Sequence, residues 1–140
     1  MQFKTQQALT LAGISDDKLR HWKSILSPLN RFDGRKDGFT LEQVVALAVI
    51  NCAVSRLKLP IATFAPHAEE IFDAVTRFLR SGGPAVLYLH DGKVTVEGIK
   101  KTPDADALIA IRMDLVAEQV RGATIDVEEA QLDLLTVKPA

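Results

Sequence analysis

The feature that most constrains this chain is a pair of short helical patterns joined by a tight turn near the amino terminus. The first pattern covers Gln6–Ala12, with Thr5 as its predicted cap, and Gly13 supplies the left-handed conformation that ends it. Ser15 is then the predicted cap of a second helix over Asp16–Leu26. Two short helices joined in this way predict a helix-turn-helix unit.

The second helix has one apolar and one polar side. Leu19, Trp22 and Leu26 recur at i, i+3 and i+7, which places them on one side and predicts that this side is buried. Trp22 is therefore predicted to be a core residue rather than a platform for a nucleic-acid base. The opposite side and its two flanks carry the polar residues Asp17, Lys18, Arg20, His21, Lys23 and Ser24.

A polar, turn-rich segment follows the second helix. It runs over Asn30–Gly38, between an apolar leucine and an apolar phenylalanine, and it contains the cations Arg31, Arg35 and Lys36. Such a segment predicts a short hairpin or loop of the kind called a wing. Cations on a wing are placed to contact phosphates or the minor groove, and an ordinary solvated turn is the alternative.

A third helix is predicted from a strong starting signal. Thr40 is the predicted cap, and Gln43 completes a capping box. The helix is expected to run to about Leu57, before Pro60, and its apolar residues cover more than one side. This pattern predicts a helix that is buried on most sides or meets a partner.

The remaining sequence changes from helical to strand periodicity. Pro66 is predicted to open a helix that ends at a glycine-rich stretch. The period then becomes two over Ala85–His90 and Lys93–Ile99, which flank the turn signal Asp91-Gly92 and predict a β-hairpin.

Three weaker patterns follow the hairpin. Ala107–Met113 is a candidate third strand, and Leu115–Arg121 is a candidate short helix. Glu128–Val137 is compatible with either type of structure. The predicted class is α+β: a winged helix-turn-helix followed by a helix and a small antiparallel β-sheet.

Charge and composition support two regions. Residues 1–60 contain nine Lys and Arg against five Asp and Glu, a net charge of +4, whereas residues 61–140 contain eight against thirteen, or −5. This difference fits a DNA-binding region over 1–57 and a region over 58–140 that does not bind DNA. We predict that the second region mediates self-association, because its hairpin needs a third strand or a partner. No apolar run reaches the length of a membrane span, so a cytoplasmic protein is expected. The lone Cys52 is interpreted as a buried thiol.

From Phe3 to about Leu57 the chain resembles the winged-helix DNA-binding domain of MerR-type regulators. The resemblance is carried in order and spacing by Phe3, Thr5, Ala8, Gly13-Ile14-Ser15, Leu19-Arg20-His21-Trp22-Lys23, Leu26, Pro28, Gly38-Phe39-Thr40 and Glu42-Gln43-Val44. It implies a DNA-binding fold and a DNA-backbone contact at Arg20. His21 and Lys23 depart from the family pattern, and the long dimerising helix and sensor cysteines of the family are not matched.

The residues and the resemblance together predict sequence-specific binding of double-stranded DNA by a homodimer, with no cofactor, metal or catalytic role. A guanidinium suits a phosphate or guanine edge, and a carboxylate can accept from a cytosine amino group. The predicted DNA-binding residues are Asp17, Lys18, Arg20, His21, Lys23, Ser24, Arg31, Arg35 and Lys36.

The sequence leaves three alternatives to this function. Arg20 could simply pair with Asp16 or Asp17 in solvent. The protein could bend DNA as small excisionases do, binding cooperatively in arrays. It could also use its helices to contact another protein, as a phage assembly or antitoxin component, and a neutral surface around Arg20 would favour that role.

Overall fold

The computed structural model describes residues 2–31 and 38–136, with side chains in the last helix described as far as Asp126. The predicted α+β class is confirmed. Short 3₁₀ turns lie at Leu29–Arg31, Ile61–Thr63 and Ala65–His67. The longer elements are β1 (Gln2–Phe3), α1 (Thr5–Ala12), α2 (Asp16–Ile25), β2 (Phe39–Thr40), α3 (Leu41–Arg56), α4 (Ala68–Ser81), β3 (Val86–His90), β4 (Lys93–Glu97), β5 (Ile109–Arg112) and α5 (Met113–Thr136).

A two-stranded antiparallel sheet ties the amino terminus to the start of α3. Gln2 lies opposite Thr40, and Phe3 lies opposite Phe39. Gly38 has a φ of +71°, and a Cβ there would lie 3.2 Å from the carbonyl oxygen of Phe3. A side chain at residue 38 would therefore be strained by its own backbone and crowded by β1.

Two predicted helix starts are wrong by one or two residues. Thr5 is the first residue of α1 rather than its cap, because Lys4 occupies the cap position and donates its N–H to Oε1 of Gln7 at 3.0 Å. Pro66 does not open α4, which begins at Ala68. The fixed φ of proline suits a tighter turn equally well, and Pro66 lies in the 3₁₀ turn before the helix.

Helix α3 is the centre of the molecule. Thr40 and Gln43 form the predicted capping box, with bonds of 3.2 and 2.8 Å, and the helix ends at Arg56. Helices α1, α4 and α5 and strand β5 pack around it. The same chain therefore covers it on most sides, and its apolar pattern no longer argues for a partner. Its buried residues are Val44, Val45, Ala46, Leu47, Ala48, Val49, Ile50 and Ala53.

The three-stranded sheet has the order β4-β3-β5, and both pairings are antiparallel. The predicted hairpin is confirmed: Asp91 and Gly92 have φ values of 51° and 70°, as a type I′ turn requires. The strands are shorter than predicted. β4 ends at Glu97, and Ile99 beyond it is exposed.

Helix α5 is much longer than the sequence predicts. The predicted short helix over Leu115–Arg121 is part of a helix of 24 residues, which continues through Gly122 and covers most of the undecided segment. A glycine inside a helix costs about 1 kcal/mol relative to alanine, which burial on either side can offset. Val120 before the glycine and Thr124 after it are both buried. Val137 lies outside the described residues.

One hydrophobic core crosses the predicted region boundary near Leu57. It extends from Phe3 to Val120 and includes residues of every helix. The division into residues 1–57 and 58–140 stays a prediction about function, and the two regions share their core. None of the helices within 2–31 and 38–136 is long and apolar enough to cross a membrane.

Candidate nucleic-acid interface

The turn between α1 and α2 has the predicted conformation. Gly13 has a φ of 73°, and its N–H donates to the carbonyl of Leu9 at 2.9 Å. Ile14 is buried in the core. Ser15 caps α2 by accepting the N–H of Lys18 at 3.1 Å. The chain therefore enters α2 from an anchored turn, which sets the position of the helix on the core.

Asn51 on α3 holds this turn in place, and the sequence interpretation missed it. Its amide nitrogen donates to the carbonyls of Ala12 and Gly13 at 3.4 and 3.2 Å. Its amide oxygen accepts from Nζ of Lys18 at 3.2 Å and from Oγ of Ser55 at 3.1 Å. One side chain thus binds the end of α1, the turn and the first turns of α2. The available signal was a carboxamide within the most apolar helix of the chain.

We expect Asn51→Ala to destabilise the fold by about 1–2 kcal/mol, because several hydrogen bonds at a partly buried site are lost together. Urea unfolding at an unchanged slope measures the change. Ser55→Ala is the matched control, since it removes a single exposed bond to the same amide and should change stability by less than about 0.5 kcal/mol. Equal effects of the two substitutions would contradict the anchoring role of Asn51.

The two sides of α2 are confirmed. Leu19, Trp22 and Leu26 are buried, and Trp22 is only 1% exposed, so its assignment to the core is correct. The opposite side is open to solvent. The predicted site residues exposed there are Asp17, Arg20, His21 and Ser24.

Arg20 pairs with carboxylates of its own helix. Its Nη2 lies 2.9 Å from Oδ2 of Asp16, and its Nη1 lies 4.0 Å from Oδ1 of Asp17. The arginine side chain is 75% exposed, and such exposed i, i+4 pairs contribute only about 0.3–0.5 kcal/mol. The two carboxylates outnumber the guanidinium by one charge, yet the guanidinium can leave these exposed partners at small cost.

The two lysines of α2 lie at the flanks of the exposed side. Lys18 is half-buried, bonds to Asn51 and places its Nζ 5.9 Å from the centroid of the Trp22 ring. That ammonium stabilises the helix against α3 and is not grouped with Arg20. Lys23 is also half-buried and lies in the last turn, where a cation interacts favourably with the helix dipole.

His21 and Ser24 interact with each other through the helix backbone. The hydroxyl of Ser24 donates to the carbonyl of His21 at 2.6 Å. The imidazole of His21 is exposed next to Arg20. The exposed side of α2 therefore offers one guanidinium and one imidazole, together with the carboxylates of Asp16 and Asp17.

Arg31 forms an ion pair with a residue of α4 that is not among the predicted site residues. Its Nη2 lies 2.6 Å from Oε1 of Glu69, which also accepts the hydroxyl of Ser27 at 2.7 Å. These hydrogen bonds, from Ser27 first and then Arg31, lower the pKa of Glu69. The carboxylate joins the end of α2 to the start of α4. Arg35 and Lys36 lie outside the described residues, as does most of the predicted wing.

No protein-family model, curated protein or solved structure matches this chain. The likeness to MerR-type domains stays a prediction, carried by the residues quoted above.

Proposed function

We propose that this protein binds double-stranded DNA in the cytoplasm and regulates transcription, with α2 placed in the major groove. The observation that carries the proposal is the construction of α2. The helix is capped by Ser15, fixed to the core by Leu19, Trp22 and Leu26, and exposed on its other side. A short, rigid helix presented in this way after a tight turn suits insertion into the major groove, which is about 12 Å wide.

Arg20 is the proposed principal contact. It leaves Asp16 and pairs with a phosphate or with the O6 and N7 edge of a guanine, where a charge-assisted bidentate bond is stronger than the exposed pair it replaces. His21 supplies a second hydrogen bond on the same side. Asp17, also exposed, accepts from a cytosine amino group or stabilises the start of the helix. The proposal assigns no catalytic step and no cofactor.

A pair of α2 helices would read two half-sites, as is usual for proteins with one recognition helix. We therefore propose a homodimer as the binding unit. The excisionase-like alternative uses the same helix differently, since monomers would add side by side and bend the DNA. The homodimer and the array differ in stoichiometry. Two copies saturate a two-fold site, whereas the number of copies bound in an array rises with the length of the DNA.

One observation favours a second function, contact with another protein. Asp16 and Asp17 together carry one more unit of charge than Arg20, and Lys18 is directed to Asn51. A nearly neutral, exposed helix is a weaker attractor of phosphate than a basic one. Under this alternative α2 binds a protein partner through mixed polar contacts, and double-stranded DNA is not a ligand.

We expect Arg20→Ala to weaken binding to a cognate duplex by about 1–3 kcal/mol, which is about 5–150-fold in the dissociation constant. Fluorescence anisotropy with duplexes selected from a genomic pull-down measures it. Arg80→Ala is the matched control, because Arg80 is an exposed arginine that pairs with a carboxylate, as Arg20 does, but lies in the last turn of α4. Identical affinities for the wild type and Arg20→Ala would remove Arg20 from the DNA contact, whereas no binding of any duplex by either protein would favour the protein-contact function.

A further inference from the structure

Strand β4 is an open edge of the three-stranded sheet among the described residues. It pairs with β3 on one side, and no other described strand lies on its other side. His90 and Lys93 close the type I′ turn and form a hydrogen-bonded pair, after which hydrogen-bonded and non-hydrogen-bonded pairs alternate. Val94 and Val96 therefore belong to non-hydrogen-bonded pairs, and their N–H and C=O groups point away from β3.

Open space lies next to this edge. A groove of about 570 Å³ runs between β4 and α4, lined on the strand by Val94, Thr95, Val96 and Glu97. The side chains of Val94 and Val96 are partly buried against the core on this sheet face. The outward backbone groups of β4 thus lie at a groove whose other wall, on α4, contains Glu70, Asp73 and Arg77 beside Ala74 and Phe78.

We propose that a second copy of this chain pairs with this edge, β4 against β4 in antiparallel orientation, about a two-fold axis at Thr95. In that register Lys93 lies opposite Glu97 of the second copy, each outward valine lies opposite the other valine, and the two threonines face each other. The outward N–H and C=O groups of Val94 and Val96 then meet those of Val96 and Val94 across the axis, forming four backbone hydrogen bonds.

Charge and hydrogen bonding select the same register. Among antiparallel registers that match the outward valines, only the one centred on Thr95 places both lysines opposite both glutamates. Like charges directly opposite destabilise a sheet, whereas opposite charges and Thr–Thr pairs stabilise it. Charged residues on an edge strand normally discourage pairing with another strand. Lys93 and Glu97 would oppose the other registers in this way, but in the register centred on Thr95 they attract each other across the axis.

The other edge lacks this complementarity. The outward groups of β5 belong to Ala110 and Arg112, because Ile109 and Ile111 form the hydrogen-bonded pairs with β3. Antiparallel pairing of β5 with itself puts Arg112 opposite an alanine or another arginine. The guanidinium of Arg112 is already bound in bidentate fashion to Asp114, at 2.8 and 2.6 Å.

The side chains needed at β4 are available. Lys93 is exposed and forms no ion pair with any residue in the described part of the chain. Glu97 is 3.7 Å from an exposed lysine, Lys101, at the weak end of ion pairing. The resulting six-stranded sheet would be isologous, as two-fold dimers require.

This inference deepens the proposed function by naming the dimer surface, but it stands on the strand alone. Sedimentation velocity of the full chain without DNA therefore tests the dimer, while DNA titration tests the function. A wild-type dimer that binds no duplex would reject the function and keep the interface. A DNA-binding monomer at concentrations of about 100 μM would reject the interface.

Charge exchange tests the register. Lys93→Glu and Glu97→Lys alone should each raise the homodimer dissociation constant by at least about tenfold, because two attractive pairs become repulsive. The double variant Lys93→Glu/Glu97→Lys should recover the wild-type value within about threefold, and an equimolar mixture of the single variants should form heterodimers. Lys100→Glu, the same charge change on an exposed residue outside β4, is the matched control. No recovery in a folded double variant, or no heterodimer in the mixture, would overturn the proposal.

Cross-linking tests the position of the axis. A non-hydrogen-bonded antiparallel pair has Cα atoms about 4.5 Å apart, which is within the range of a disulfide. Thr95→Cys in a Cys52→Ala background should therefore oxidise to a covalent dimer, faster than Lys100→Cys in the same background. Equal rates of dimer formation would contradict an axis at Thr95.

Discussion

Trp22→Ala is expected to destabilise the protein by about 3–5 kcal/mol, the cost of removing a large buried aromatic side chain and leaving a cavity. Trp22 is 1% exposed and lies between Leu19 and Leu26, which are also buried. The Nζ of Lys18 also lies 5.9 Å from the centroid of the Trp22 ring. Since domains of this size are stable by about 5–15 kcal/mol in total, the variant should unfold at a much lower urea concentration.

Ile25→Ala is the control on the same helix. Ile25 is 37% exposed, so its truncation should cost about 1 kcal/mol or less. A large difference between the two variants would support the orientation of α2 that presents Arg20 to solvent. Equal stabilities of the two variants would mean that Trp22 is not in the core, and the exposed side proposed for DNA contact would then be the wrong one.

The local features of the helix-turn-helix could be predicted from sequence because short-range chemistry determines them. A glycine supplies a left-handed turn, a serine caps a helix, and apolar spacing sets which side is buried. Gly13, Ser15 and Trp22 occupy the predicted places. The Thr40–Gln43 capping box and the Asp91-Gly92 hairpin are predictable for the same reason.

The partners of the charged residues could not be predicted, because they lie far apart in the chain. Lys18 was predicted as a DNA contact, and Asn51, which follows it by 33 positions, binds its ammonium. Arg31 was predicted with the wing, and Glu69, 38 positions later, binds its guanidinium. Only the packing of α2 and α4 against α3 brings these groups together, and no local pattern contains that information.

The apolar pattern of α3 shows a different limit. Apolar periodicity indicates that a helix is buried, but it does not indicate whether the same chain or a partner buries it. The prediction left open whether other helices or a partner cover Val44–Ala53, and the structure shows that the chain covers them itself. Because the chain itself covers α3, the dimer surface that we propose is the edge of the sheet at β4.

Salt is expected to have the largest effect on DNA binding. If the protein neutralises about four to eight phosphates, the logarithm of affinity should fall with the logarithm of salt concentration at a slope of about −0.9 per phosphate. Affinity would then drop by about 10²- to 10⁴-fold between about 50 and 200 mM salt. We expect the cations of residues 1–60 to supply these contacts, because that region has a net charge of +4 and residues 61–140 have a net charge of −5.

Titration of a duplex with the full chain across this salt range, with Arg20→Ala in parallel, is the most direct test that α2 binds double-stranded DNA. DNA binding through α2 predicts a steep negative slope for the wild type, with weaker binding and a slope shallower by about 1 for the variant if Arg20 contacts a phosphate. A flat response, or curves for the two proteins that coincide at every salt concentration, would contradict it.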